Sequence, residues 1–301
     1  MKDLSRLFAF IVIAALIVFT ACIMLIPEIP ATGIDFKNEI TGPLTEGNST
    51  PSSGISFTSG EESGYNGLRG WGIARAKSEG EIPRADPGAP EILARYNGIY
   101  LADTEKKTIY LTFDEGYENG YTGKILDILY ENKVNAIFFI TGPYLGREEA
   151  LVQRMIDEGH AIGNHTINHK SLPMISDGEI ESETTGLDRR FYERFGKNMT
   201  FLRPPKGEYS ERSLKTTSDL GYVNVFWSFA YDDWNINGQR GWQYACEKVV
   251  KNLHNGAILL LHAVSSDNAG ALDAIIREAR NQGYEFGNVF DLEQIARRGE
   301  P

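Results

Sequence analysis

The sequence predicts an α/β fold in which parallel strands alternate with helices, either as a barrel or as a doubly wound sheet. From residue 108 onward, short runs rich in apolar and β-branched residues alternate with longer segments of helical periodicity. Helical segments of ten or more residues between successive strands are typical of parallel β-α units. Polar residues follow the ends of several of these strands, which is where β/α barrels place their active sites.

Each predicted element has a local reason in the sequence. The strands are short runs of mostly apolar residues, namely 109–113, 136–140, 161–163, 200–202, 223–228 and 257–261. The helices carry apolar residues three and four positions apart, namely 121–131, 148–158, 176–195, 211–220, 242–253 and 269–281. Ser176 and Glu179 have the spacing of a capping box, and Gly159 ends the second helix.

Composition excludes several classes of function. The 301 residues are 42% hydrophobic, which is ample for a large core, and the formal charge of -11 argues against binding nucleic acid or anionic membranes by charge neutralisation. Only two cysteines occur, and Cys22 lies in the N-terminal apolar run, so Cys246 has no partner in the folded part. We therefore expect neither a disulfide framework nor a thiolate metal site.

The N-terminal segment predicts export. Residues 1–26 place Lys2 and Arg6 before a run, 7–26, that carries no charge and would span roughly 30 Å as a helix. This segment is either an uncleaved transmembrane anchor or a cleaved signal, so the rest of the chain is expected outside the cytoplasm, anchored to the membrane or secreted to the cell wall.

Three further regions follow along the chain. Residues 27–66 are a predicted flexible linker, because positions 41–65 include 17 Ser, Thr, Gly or Pro among 25. Residues 67–106 are expected to form an ordered lead-in packed on the main domain. Residues 107–301 form the predicted catalytic domain.

Five polar residues lie at or just after predicted strand ends: Asp114, His165, Arg203, Asp233 and His262. The loops at the carboxyl ends of barrel strands converge on one face. We therefore expect these side chains to meet at one mouth of the barrel.

The pair His165 and His169 predicts a metal site. At i and i+4 on one helical turn, the two imidazoles would chelate one ion beside the carboxylates of Asp114 and Glu115. One of these adjacent carboxylates is expected to hold the ion and the other to face the attacking water. Histidine and carboxylate ligands suit Zn²⁺ first, and also Co²⁺, Mn²⁺ or Ni²⁺.

The remaining polar residues predict an acid and a positioning group. Arg203 precedes two prolines that fix the backbone, which suits a rigid guanidinium aimed at a buried carboxylate. His262 ends a buried strand, where Asp233 would hold its second nitrogen and keep it protonated as a general acid. Trp234 is expected to form a wall of the pocket beside this histidine.

Five segments together resemble the polysaccharide deacetylase, or NodB-homology, family. They are Thr112-Phe113-Asp114-Glu115-Gly116, His165-Thr166-Ile167-Asn168-His169, Arg203-Pro204-Pro205, Asp233-Trp234 and Leu260-Leu261-His262. Within that family the chain looks most like the muramic δ-lactam de-N-acetylases of spore-forming bacteria. The resemblance implies an irregular (β/α) barrel of about seven strands.

The resemblance also implies a role for each matching residue. Asp114 would be the general base, oriented by Arg203, and His262 the general acid, tuned by Asp233. Glu115 stands where the family has a metal-binding aspartate. A second departure is Ala230, four positions before Trp234, where the family has an acidic residue.

By the same resemblance, the expected reaction is metal-dependent removal of the N-acetyl group from peptide-free N-acetylmuramic acid in peptidoglycan. Tyr117 and Pro205 are expected to join Trp234 in the substrate pocket, and the protein is expected to act as a monomer on glycan strands. The alternatives are an N-acetylglucosamine or chitooligosaccharide deacetylase and an O-acetyl xylan esterase, which share the machinery. A non-catalytic wall-binding protein is a further alternative, against which intact Asp114 and His262 argue.

Overall fold

The computed structural model describes residues 65–299. The predicted N-terminal segment, residues 1–26, and most of the predicted linker, residues 27–66, lie outside this range. Within residues 65–299, the helices are all too short or too polar to cross a bilayer.

Twelve strands and nine α-helices make up the described part of the chain. The strands are β1 (Arg69–Gly70), β2 (Ile73–Ala74), β3 (Arg84–Ala85), β4 (Gly98–Ile99), β5 (Thr108–Glu115), β6 (Ala136–Ile140), β7 (Ala161–Asn164), β8 (Phe201–Leu202), β9 (Glu208–Tyr209), β10 (Val223–Val225), β11 (Ile258–His262) and β12 (Glu285–Phe286). The helices are α1 (Ala89–Arg95), α2 (Thr122–Asn132), α3 (Gly142–Arg147), α4 (Glu149–Asp157), α5 (Asp177–Phe195), α6 (Glu211–Asp219), α7 (Trp242–Val250), α8 (Ser266–Asn281) and α9 (Asp291–Arg298).

The predicted parallel β-α fold is confirmed. Seven strands pair in the order β11-β5-β6-β7-β8-β10-β4, and β12 joins the first residues of β5. Every pairing in this sheet is parallel. The sheet curls into a half-barrel, and the segment after β10 approaches β11, where the Leu260 N–H donates to the Phe229 carbonyl at 2.9 Å.

Alternation along β5 divides the core into two faces. Leu111 and Phe113 pack among residues of the surrounding helices, whereas Tyr110 packs with residues from the other face of the neighbouring strands. Thr112 and Asp114 share the face of Tyr110, as their bonds to Arg203 show. The side chains that reach the mouth of the half-barrel are therefore those of even-numbered residues on β5.

The lead-in packs on the barrel through a short strand and an aromatic cluster. Strand β1 pairs antiparallel with β9, and the Trp71 indole N–H donates to the Trp227 carbonyl at 2.9 Å. The Trp71 ring lies 5.0 Å from the Tyr100 ring and 4.9 Å from the Phe226 ring. Through these contacts the lead-in packs against the segment that follows β10.

The predicted elements differ from the structure mainly at their ends. Strand β10 ends at Val225 instead of residue 228, because the next residues turn to bond β11. Helix α3 was not predicted, and its Thr141 cap accepts a hydrogen bond from the Tyr144 N–H. The capping box of α5 forms as predicted, with Ser176 and Glu179 bonding each other's backbone.

Candidate active site

Asp114 and Arg203 form a buried ion pair at the end of β5. The guanidinium donates to Asp114 Oδ1 at 2.7 Å and to the Thr112 hydroxyl at 2.8 Å. It also donates to the carbonyls of Val225 and Phe226 at 3.0 and 3.3 Å. Burial raises the pKa of Asp114, but the charge and hydrogen bond of Arg203, together with His165 and His262, outweigh burial and hold that pKa below its usual value. Asp114 is thus ionised at neutral pH, as a general base requires.

His262 and Asp233 form a second pair beside the first. His262 is the direct neighbour of Asp114 in the register of β11 against β5. Its Nδ1–H donates to Asp233 Oδ1 at 2.8 Å, and its backbone N–H donates to Oδ2 at 2.7 Å. Burial lowers the pKa of His262, but the Asp233 carboxylate raises it above the ordinary value. His262 can therefore stay protonated and use Nε2–H as a general acid.

Asn268 on α8 holds Asp233 and His262 in place. Its amide donates to Asp233 Oδ2 and to the His262 carbonyl, and its own carbonyl accepts from the Tyr231 hydroxyl. Asp233 consequently has no freedom to rotate away from the imidazole. Asn268 was not among the predicted site residues, because no residue pattern in the sequence indicated its role.

His165 and His169 approach each other, but the predicted helical turn between them is wrong. Residues 165–169 form a loop in which Thr166 and His169 adopt φ of 66° and 56°. The two rings still come together, with centroids 4.7 Å apart. The i and i+4 spacing correctly predicted that the two rings lie close together. The cause is the loop conformation and not a helical turn.

The conformation of this loop is fixed from three sides. Glu183 on α5 accepts from the backbone N–H and the side-chain amide of Asn168 at 2.7 and 2.8 Å. The Thr166 N–H donates to Asn164 Oδ1 at 2.9 Å. Gly142 lies so close that an added Cβ would be 2.8 Å from the Ile167 carbonyl oxygen. These contacts hold a backbone that non-glycine residues rarely adopt.

Glu115 does not join the histidines, contrary to the sequence prediction. It is fully buried on the helix-covered face of β5, and both of its carboxylate oxygens lack a hydrogen-bond partner among the described residues. Burial, followed by Glu118 and Asp114, raises its pKa well above the ordinary value. The reason for the difference is the alternation of side chains, which sends residues 114 and 115 to opposite faces.

The donor set fits a divalent metal ion in part. The His165 Nδ1–H donates to the Arg203 carbonyl at 2.9 Å, which leaves the lone pair of Nε2 only 3.4 Å from Asp114 Oδ2 with no proton between them. Burial lowers the pKa of His165 to about 4, so the ring is neutral and able to ligate. A cation between these two acceptors would remove their repulsion. Among residues 65–299, however, no three His, Cys, Asp or Glu residues are arranged as a ready metal site.

The catalytic and metal-binding candidates share one cavity of about 930 Å³ at the carboxyl ends of the strands. Asp114, His165, His169 and His262 all line it, as do Tyr117 and Trp234, whose side chains are 47% and 61% exposed at the rim. Of the five residues expected to meet at one mouth, Asp114, His165 and His262 line the cavity. Arg203 and Asp233 are buried and do not line it, but they bond Asp114 and His262.

Pro205, by contrast, is buried and does not line the cavity. The residues after it do, because the turn at Pro205–Gly207 directs Lys206 and Gly207 toward the opening. Ala230 lines the cavity as well, in place of the family's acidic residue. Lys206 was missed because a lysine after two prolines carries no signal of function by itself.

Comparison with known proteins identifies relatives of this chain. The sequence matches the polysaccharide deacetylase family over residues 102–225. It is 45% identical over 223 residues to the peptidoglycan-N-acetylmuramic acid deacetylase PdaA of Bacillus subtilis, covering 74% of this chain and 84% of PdaA. It is 37% identical over 193 residues to a peptidoglycan-N-acetylglucosamine deacetylase of Bacillus cereus, covering 62% of this chain and 88% of that protein.

A solved structure agrees with these matches. The structure of B. subtilis PdaA, a family 4 carbohydrate esterase, superposes with a TM-score of 0.73 at 44% identity, covering 75% of this chain and 97% of that one. The fold and the curled parallel sheet therefore agree with the sequence similarity. The chain belongs to the polysaccharide deacetylase family, whose members are carbohydrate esterases of family 4.

Proposed function

We propose that this protein hydrolyses the N-acetyl group of peptide-free N-acetylmuramic acid in peptidoglycan, as a step toward muramic δ-lactam in spore cortex. The observation that carries the proposal is the register of His262 beside Asp114, each with its own buried partner, in one cavity. A base and an acid with oppositely shifted pKa values are what amide hydrolysis needs. Similarity to PdaA, whose name records an N-acetylmuramic acid substrate, supports the choice of sugar.

The residues divide the reaction between them. Asp114, held by Arg203, takes a proton from the water that attacks the acetyl carbonyl carbon. The carbon–nitrogen bond then breaks, and His262 gives its Nε2 proton to the departing sugar amine. The products are acetate and the free amine, so one water is consumed for each acetyl group removed.

A divalent ion is part of the proposal, with Zn²⁺ preferred and Co²⁺, Mn²⁺ or Ni²⁺ as alternatives. His165 and His169 would hold it, next to Asp114. When bound, it would supply Lewis-acid polarisation and a lowered pKa of water. Dialysis against a chelator followed by addition of single metals would identify the ion by the return of activity. Equal activity after complete metal removal would contradict this part.

The substrate is tested by acetate release. Peptidoglycan treated with an amidase should release acetate on incubation with the protein, whereas intact peptidoglycan should release little. Asp114→Asn should abolish the release, because general base catalysis contributes about 10²–10⁴-fold. Equal rates on N-acetylglucosamine oligomers or acetylated xylan would favour the alternative substrates. No release from any of them would leave only the non-catalytic role.

The proposed location follows from the same substrate. We propose that residues 7–26, which carry no charge, place the catalytic domain outside the cytoplasmic membrane as an anchor or a cleaved signal. A fusion of residues 1–66 to alkaline phosphatase should be active, since that reporter works only after export. An inactive fusion that is present in the cytoplasm would contradict the proposal.

A further inference from the structure

Lys206 presents a positive charge to the catalytic cavity. It lines the opening that also contains Asp114 and His262, and its side chain is exposed. Arg203 is not among the lining residues, because its guanidinium is fully buried and bonded to Asp114. Of the described residues that line the cavity, Lys206 is the one lysine, and no arginine is among them.

The Lys206 ammonium forms no ion pair with a carboxylate among residues 65–299. Lys170, on the neighbouring histidine loop, pairs with Glu183 at 3.3 Å. Within residues 65–299, no carboxylate oxygen lies within 4.0 Å of the Lys206 ammonium. An unpaired cation in a ligand cavity is available to a ligand anion.

The backbone holds Lys206 in a fixed and costly conformation. Its φ is 61°, in the left-handed region that non-glycine residues rarely adopt. The turn is closed by the Gly207 N–H donating to the Pro204 carbonyl at 3.1 Å, and the Trp71 N–H donates to the Gly207 carbonyl at 2.8 Å. Gly207 also allows close packing of Trp227, because an added Cβ would be 2.7 Å from that ring. Both neighbouring segments therefore direct the lysine to the opening.

The proposed substrate carries one anion close to the reacting group. Muramic acid has a lactyl ether on the carbon next to the one that carries the acetamido group. In intact peptidoglycan the lactyl carboxyl is bound to the peptide as an amide and is neutral. Removal of the peptide frees a carboxylate, whereas N-acetylglucosamine has only a hydroxyl at this position. A cation in the same cavity as Asp114 and His262 distinguishes these three ligands by charge.

We infer that Lys206 binds the lactyl carboxylate of peptide-free muramic acid and is a specificity-determining residue of this enzyme. The inference rests on the proposed function and adds the group that selects the sugar. An ammonium acting as a point charge at a partly exposed site should contribute roughly tenfold in binding, between an exposed ion pair and a desolvated charged hydrogen bond.

Equilibrium binding tests the inference without turnover. The full chain with Asp114→Asn is titrated with the peptide-free disaccharide of N-acetylglucosamine and N-acetylmuramic acid, and with its lactyl methylamide. The carboxylate should bind roughly tenfold more tightly than the amide. Lys206→Met should remove this preference, and Lys206→Arg should keep it. Lys124→Met, at an exposed position on α2 away from the cavity, is the matched control and should also keep it.

Turnover separates failure of the inference from failure of the proposed function. In the otherwise unaltered chain, Lys206→Met should lower kcat/KM on peptide-free strands roughly tenfold, mainly through KM, and should leave the methylamide rate unchanged. A preference that survives Lys206→Met, or an equal loss on charged and neutral substrates, overturns the inference. If the unaltered chain releases no acetate but its preference depends on Lys206, the proposed function fails while the binding site stands. Thermal melts check that each variant is folded.

Discussion

Replacing Arg203 by methionine should both destabilise the protein and impair its base. The guanidinium is fully buried and makes four hydrogen bonds, and its removal leaves the Asp114 carboxylate, only 8% exposed, without its charge partner. Breaking a buried pair in this way costs about 3–5 kcal/mol. At about 2–4 °C per kcal/mol for a domain of this size, Tm should fall by about 6–20 °C.

Thermal unfolding followed by circular dichroism at pH 7 measures this loss. The matched control is the double variant with Asp114→Asn, in which the unpaired charge is absent. The two changes should therefore couple by about 2 kcal/mol or more. Losses that simply add, or a single variant that melts within about 3 °C of the parent protein, would refute the reasoning.

The pH dependence of the same variant has a definite sign. The folded pKa of Asp114 lies below the ordinary value of an aspartate, so the ion pair stabilises the protein above that ordinary pKa and loses its effect as pH falls through the folded pKa. The stability difference between the parent protein and Arg203→Met should thus narrow in acid. In the variant the pKa of Asp114 rises, so the acid limb of kcat/KM should move to higher pH.

The remaining predictions concern the acid and the histidine loop. Asp233→Asn should lower the pKa of His262, because the carboxylate that raises this pKa is removed. The alkaline limb of the pH profile of kcat/KM should therefore move to lower pH. An alkaline limb that does not move would contradict His262 as the general acid. Gly142→Ala should reduce metal affinity roughly 10–100-fold in chelator competition, since its Cβ would displace the Ile167 carbonyl. Gly123→Ala, in the first turn of α2 with open space around it, is the control and should leave metal affinity unchanged.

Much of the fold was predictable because its signals are local. Each strand and helix of the β-α units has its own apolar periodicity, and Asp114 and His262 reach the same mouth because parallel strands end on the same side. The positions of Glu115 and of the 165–169 loop depended on contacts remote in sequence. The loop is held by Glu183 and Gly142, and nothing within residues 165–169 indicates their presence.

Glu115 illustrates the limit most directly. Adjacency to Asp114 suggested a shared role, whereas the pleat of β5 separates the two side chains. Family resemblance could not correct this, because the family has a shorter acid at the position. Side chains alternate between the two faces only as far as the strand extends. Because β5 extends through Glu115, the Glu115 side chain lies on the face opposite to Asp114.

The contact of Trp71 with the barrel affects where a recombinant fragment can begin. A fragment starting at residue 102, where the family match begins, would lack Trp71 and α1 and would expose Tyr209 and Phe226 to solvent. It would also lose the strand that supports the turn at Lys206. Soluble expression should therefore require the chain from about residue 65, and the lead-in belongs to the folding unit even though its sequence lies outside the family match.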